Sequence, residues 1–184
     1  MRITLWVDAD HARDQVTRRS VTGIIAMINT TIVKTYSKRQ TTVETSTYGS
    51  ELVAARIATD MAAELIYTLQ MIGVPVDGSA LLLGDNKSVV VNTTIPSSAL
   101  KKKHNAIAYH RVREAVAARL IRFCHIDTSR NIADVLTKPL SGPQFHHLVK
   151  PLLFRNPGEP TLPPPEIPPE PDATDSPQSA GSPL

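Results

Sequence analysis

The chain has 184 residues, enough to bury one sizeable core and too few for two ordinary domains. Its formal charge of +3 conceals an asymmetry: residues 156–184 hold five acids and no Lys or Arg, which leaves the rest with 20 basic and 12 acidic residues. That basic body suits a polyanionic partner, while the single Cys124 excludes an intrachain disulfide and a cysteine-based zinc site.

Residues 3–9 open with the alternating run Ile3-Thr4-Leu5-Trp6-Val7, which predicts a first strand closed by Asp8. Asp8 and Asp10 also interrupt the run too early for a signal-peptide core. No apolar stretch approaches the roughly 20 residues of a bilayer span, so an intracellular protein, cytoplasmic or of unassigned compartment and with no membrane contact, is expected. Residues 21–28 are β-branched and apolar around Gly23, and 31–36 follow the turn-like Asn29-Thr30. So short a connection predicts an antiparallel meander.

Over 46–70, Leu52, Val53, Ile57, Met61, Leu65 and Leu69 recur at helical spacing, with Ser46 or Thr47 as the cap and Gly73 and Pro75 beyond the end. Residues 81–83 are wholly apolar, as in a strand buried on both faces. A short helix over 86–92, a longer one over 106–119 and a fifth strand over 120–126 come next. Helical stretches over 131–138 and 142–148 flank Pro139. The order predicts an α/β fold, a mixed sheet with helices on both faces. The expected organisation is one domain over 1–150 and a Pro-rich, acidic, disordered tail over 151–184, because ten of the fifteen prolines lie beyond Asn156.

Four acids sit where the chain changes element: Asp8 and Asp85 after apolar strands, Glu51 and Asp134 at the openings of helical stretches. Each has a purely structural reading, as a turn former or a helix-start acid. Together, carboxylates converging on one sheet edge hold hard divalent cations for phosphodiester chemistry.

The words around these acids are Val7-Asp8-Ala9-Asp10-His11-Ala12, Ser37-Lys38-Arg39-Gln40, the run from Glu44 to Leu52, Gly84-Asp85-Asn86-Lys87-Ser88, and Asn131 to Leu140 with Asp134 inside it. In this order, and with Lys103-His104 and Tyr109 to Glu114 between the last two, they resemble the ribonuclease H domain of copia-type (pseudovirus) retrotransposon Pol polyproteins over roughly residues 3–150. The resemblance implies a ribonuclease H-like fold with a five-stranded mixed sheet. It also implies cleavage of the RNA strand of RNA–DNA hybrids during reverse transcription, and an upstream reverse transcriptase domain in the parent polyprotein.

By matching positions, Asp8, Glu51, Asp85 and Asp134 become a tetrad for two Mg²⁺ ions, with Mn²⁺ as a substitute. Glu51 is expected in the first turn of the long helix, and Asp134, following a loop, as the most mobile ligand. Lys101, Lys102, Lys103 and His104, together with Lys38, Arg39 and Ser46, are the candidate nucleic-acid contacts; a solvated charge run and a helix cap are the plainer readings. Asp10 is expected to be solvated, and His11 to be a loop residue rather than a ligand. The strand pattern puts His125 in the fifth strand rather than in a mobile proton-handling loop. The alternative to an enzyme is a silent retrotransposon remnant that keeps the fold and only binds nucleic acid or a protein.

Overall fold

The computed structural model describes residues 1–100 and 103–153. Five strands form one sheet: β1 (Ile3–Asp10), β2 (Val21–Ile28), β3 (Thr31–Arg39), β4 (Ala80–Gly84) and β5 (Ile121–His125), in the order β3-β2-β1-β4-β5. β1, β2 and β3 pair antiparallel, whereas β4 runs parallel to both β1 and β5. Asn29, at φ 54°, makes the tight β2–β3 turn possible, because asparagine tolerates the left-handed region.

Alternation along the central strands divides the core into two layers. Leu5, Val7 and Ala9 join Ile24, Ala26 and Leu82 beneath three helices, α1 (Thr47–Met71), α2 (Lys87–Thr94) and α3 (Ala106–Ala117). α1 presents Ala54, Ala55, Ala58 and Ala62 to this layer, so its backbone lies close on the sheet. The opposite residues, Trp6, Ile25, Met27 and Leu83, pack against Ile126, Ile132 and Leu148. Among the described residues, the helical elements covering that side are the 3₁₀ turn Ile132–Leu136 and α4 (Gly142–Leu153).

The mixed sheet with helices on both faces therefore matches the expectation, with shifts at the element ends. β3 runs to Arg39 instead of residue 36, and α4 to Leu153 instead of 148. The stretch expected to be α-helical over 131–138 is a 3₁₀ turn. Asn131 begins it by accepting a hydrogen bond from the Ala133 amide, and Pro139, lacking an N–H, prevents its extension. Among the described residues, no helix is long and apolar enough to cross a membrane. Residues 154–184, most of the expected tail, lie outside the described residues.

Candidate active site

Because β1 and β4 are parallel, their carboxyl ends open on the same sheet edge, where open α/β sheets leave a crevice. Asp8 lies near that end of β1, and Asp85 is the first residue beyond β4. Asp8 sits opposite Gly23 on β2, and the 3₁₀ turn packs directly over this pair. A Cβ on Gly23 would stand 2.6 Å from Thr137 Cγ2 and 2.9 Å from the Ala133 carbonyl oxygen, so only glycine admits so close an approach. Two long-range bonds secure the turn: Asn131 Nδ2 donates to the Val7 carbonyl (2.9 Å), and Ser37 Oγ to that of Leu136 (2.7 Å).

The packed turn carries Asp134 to Asp8. Carboxylate oxygens of Asp8, Asp85 and Asp134 lie within 4.8 Å of one another. Glu51 comes from the helical layer and, with Asp8, Asp85, Asp10, His11, Thr47, Asn86 and Lys138, lines an open cleft of about 480 Å³, to whose lining the buried Asp134 does not belong. Ser46 caps α1, its hydroxyl accepting from the Gly49 amide at 3.3 Å. With the helix starting at Thr47, Glu51 lies in its second turn, one turn deeper than expected. Asp134, expected to be the loosest acid, is instead fully buried.

So many acids in a small volume oppose one another. Burial raises the Asp8 pKa, against a hydrogen bond from Thr137 and the charge of Lys138. Glu51 is pushed well up, by burial first and then by Asp8 and Asp85. Asp134 rises to about 6 through burial and the Asp8 charge, even with Lys138 beside it. For Lys138, burial favours the neutral amine, but Asp8 and Asp134 outweigh it and hold the ammonium charged.

Both Asp134 oxygens are buried, and among the described residues their partner is the Lys138 ammonium, 3.0 Å from Oδ2, which leaves Oδ1 without a hydrogen bond. Buried, unbonded carboxylate oxygens are costly unless a cation satisfies them. A set of donors that is entirely oxygen suits a hard divalent ion. The residues present fit such an ion.

The other candidates are placed less uniformly. Lys38 is exposed near the end of the edge strand β3, and Arg39 beside it is ion-paired to Asp14 at 2.5 Å. Thr47 lines the cleft, whereas Ser46 serves as the helix cap. Lys103 and His104 are exposed in a short 3₁₀ turn, His104 Nε2 lying 3.7 Å from Glu44 Oε2. Lys101 and Lys102 lie outside the described residues. Asp10, expected to be simply solvated, pairs with Arg13 at 3.0 Å and lines the cleft, and His11 does so with its Nδ1 buried and unbonded. His125 ends β5, its ring Nε2 3.0 Å from the Asp85 carbonyl oxygen.

Two residues at the site escaped the sequence reading. Thr137 donates through Oγ1 to Asp8 Oδ2, and Lys138 pairs with Asp134. Their spacing of three and four residues from Asp134 was the available signal, because such spacings bring side chains together in a helical turn.

Comparison with solved structures gives the fold. Ribonuclease H1 from Halobacterium salinarum superposes with a TM-score of 0.57 at 17% identity, covering 74% of this chain and 95% of that one. LC11-RNase H1 in complex with an RNA/DNA hybrid gives 0.55 at 18% identity, covering 74% and 94%. The chain has the ribonuclease H-like fold. In sequence it is 28% identical over 142 residues to the Retrovirus-related Pol polyprotein from transposon RE1 of Arabidopsis thaliana, covering 77% of this chain. It is 29% identical over 143 residues to the corresponding polyprotein from transposon TNT 1-94 of Nicotiana tabacum, covering 76%. Its homologues are copia-type retrotransposon Pol polyproteins and its structural neighbours ribonuclease H domains. The chain spans about one tenth of the length of those polyproteins. No family model matches it.

Proposed function

We propose that the protein is a divalent-metal-dependent endoribonuclease that cleaves the RNA strand of RNA–DNA hybrids, as the ribonuclease H part of a retrotransposon Pol polyprotein. The observation that carries this reading is the approach of Asp8, Asp85 and Asp134 carboxylate oxygens to within 4.8 Å of one another, at the carboxyl ends of β1 and β4, beside a cleft that Asp8, Asp85 and Glu51 line. In this reading the four acids hold two Mg²⁺ ions, or Mn²⁺ in their place. When bound, such a pair activates water and stabilises the leaving oxygen of a phosphodiester.

The chain's own contribution is placement. Thr137 donates its one hydroxyl proton to the Asp8 carboxylate, so Asp8 is oriented before any ligand arrives. Asn86 caps α2 through the Val89 amide (3.2 Å) and so stiffens the segment that presents Asp85. The hybrid is read along its backbone: Lys38, Arg39 and the 101–104 stretch meet phosphates, and the RNA 2′-hydroxyls distinguish its strand. Ser46 stays in this reading as a cap that fixes the α1 end facing the substrate. An upstream reverse transcriptase domain is the expected partner. The foamy viral protease-reverse transcriptase solved with an RNA/DNA hybrid, which superposes at TM-score 0.52 over 73% of this chain at 17% identity, supports the pairing.

Cleavage of a labelled hybrid in Mg²⁺ or Mn²⁺ tests the proposal. Wild type should cut the RNA strand, and Asp85→Asn should lose at least about 100-fold, the order lost when the groups stabilising transition-state charge are removed. Wild type that does not cut at high protein and low salt would leave a silent, binding-only domain.

A further inference from the structure

Lys138 is the one cleft-lining cation among the described residues, and it reaches inward. Its ammonium is 3.0 Å from Asp134 Oδ2 and 3.9 Å from Asp8 Oδ2. These oxygens belong to the acids whose oxygens cluster within 4.8 Å. A divalent ion drawing on the same oxygens would meet an ammonium already at their side.

We propose that Lys138 is a tethered cation that neutralises the acidic cleft in the metal-free protein and competes with divalent ions for the oxygens of Asp8 and Asp134. The proposal rests on reading the acids as a cation site, and adds that the site carries its own occupant. Without a cation, Asp134 would be a fully buried carboxylate with no hydrogen bond among the described residues, facing the charges of Asp8 and Asp85. Burying unpaired charge is among the most destabilising things a fold can do. The ammonium relieves this locally, from a position four residues along the same turn.

Lysine suits an exchangeable role better than arginine. Its charge is a point on a flexible four-carbon stem, and it makes no planar two-point clamp on a carboxylate. About a third of the side chain is exposed, so the stem has a way out of the cleft. The cost is affinity: a divalent ion binds only in the fraction of molecules whose lysine has withdrawn, and the apparent dissociation constant rises by the reciprocal of that fraction.

Mn²⁺ binding, followed through the paramagnetic signal of the free ion at pH 7.5 and low salt, tests this on wild type, Lys138→Gln, Lys138→Met and Lys138→Arg, with circular dichroism as a fold check. The two neutral variants should bind the first ion at least about 10-fold more tightly than wild type, and Lys138→Arg should bind it no more tightly than wild type, because it keeps the competing charge. Neutral variants that unfold in chelator but refold on adding Mn²⁺ would be the same result in stronger form. Equal or weaker binding by both neutral variants overturns the proposal while leaving the cation site intact. Neutral variants that stay unfolded with Mn²⁺ also overturn it, since Lys138 would then be a fixed structural partner. If wild type itself binds no Mn²⁺, the cation-site reading fails and the tethered cation falls with it.

Discussion

One face of the sheet lies under the 25-residue α1 with α2 and α3, the other under a five-residue 3₁₀ turn and α4. The helical face buries a continuous core around Leu5, Val7, Leu52, Leu82, Tyr109 and Val112. The turn face buries a smaller one around Trp6, Ile25, Leu83 and Ile132. Polar chemistry is distributed the other way: Asp8, Asp134, Thr137 and Lys138 gather on the turn side, and the helical side contributes Glu51. Apolar burial therefore accumulates where no chemistry is needed. The thin layer is held by a few directed bonds, from Asn131 and Ser37, that set position more than they add stability.

The sharpest way to break this division is to lift the turn off the sheet. Gly23→Val places a branched side chain against the Ala133 carbonyl and the Thr137 methyl, and should carry Asp134, Thr137 and Lys138 away from Asp8. Hybrid cleavage should fall by about 100-fold or more, since a displacement of about 1 Å is enough for that. A melting curve should show the sheet still folded at assay temperature. If cleavage survives, the turn's position is not what assembles the site.

Leu52→Ala probes the helical face. Leu52 is fully buried, and its truncation should cost about 3 kcal/mol in urea denaturation, near the middle of the range for such cavities. Cleavage well below the melting point should change by only a fewfold. A large rate loss with little loss of stability would invert the proposed roles of the two faces.

The pH dependence of the metal-free protein separates the faces by charge. Asp134 has a folded-state pKa of about 6, above its ordinary value of 3.8, so the folded state holds this proton more tightly than the unfolded one. Its contribution favours the fold fully below pH 3.8 and is lost as pH rises through about 6. In chelator, Asp134→Asn should flatten that part of the stability profile, seen as melting temperature against pH. Divalent affinity in wild type should in turn weaken as pH falls through about 6, because protons and the metal compete for one carboxylate.

The smallest effect is expected at the surface of the helical side. Arg111 pairs with Asp60 at 2.8 Å, but both side chains are more than a third exposed. Arg111→Ala should shift stability by no more than about 1 kcal/mol, with cleavage unaltered. A larger change would show that α3 and α1 depend on charge as well as on packing.

The strands, α1 and the acids were legible because their signals are local. Alternation around Trp6, helical spacing from Leu52 to Leu69 and the apolar Leu81–Leu83 run each declare an element within a few residues. The depth of Glu51 in α1 was missed because capping by either Ser46 or Thr47 was compatible with the sequence, and the choice moves the helix start. The 131–138 stretch was misread as α-helical because its conformation depends on Asn131 bonding to Val7, 124 residues away. Lys138 was passed over for the run at 101–104, since a lone lysine gives no composition signal until Asp134 is known to be buried beside it.

By itself the sequence determined the order of elements and the two-sided packing, and marked the four acids as candidates, since periodicity and short motifs are read along the chain. Only the tertiary structure decided that Gly23 admits the turn, that Thr137 holds Asp8, and that Lys138 shares the acidic cleft. The physical reason is distance. Charges and hydrogen bonds act over a few ångströms, and Asp8 and Thr137 are 129 residues apart until the sheet brings them together.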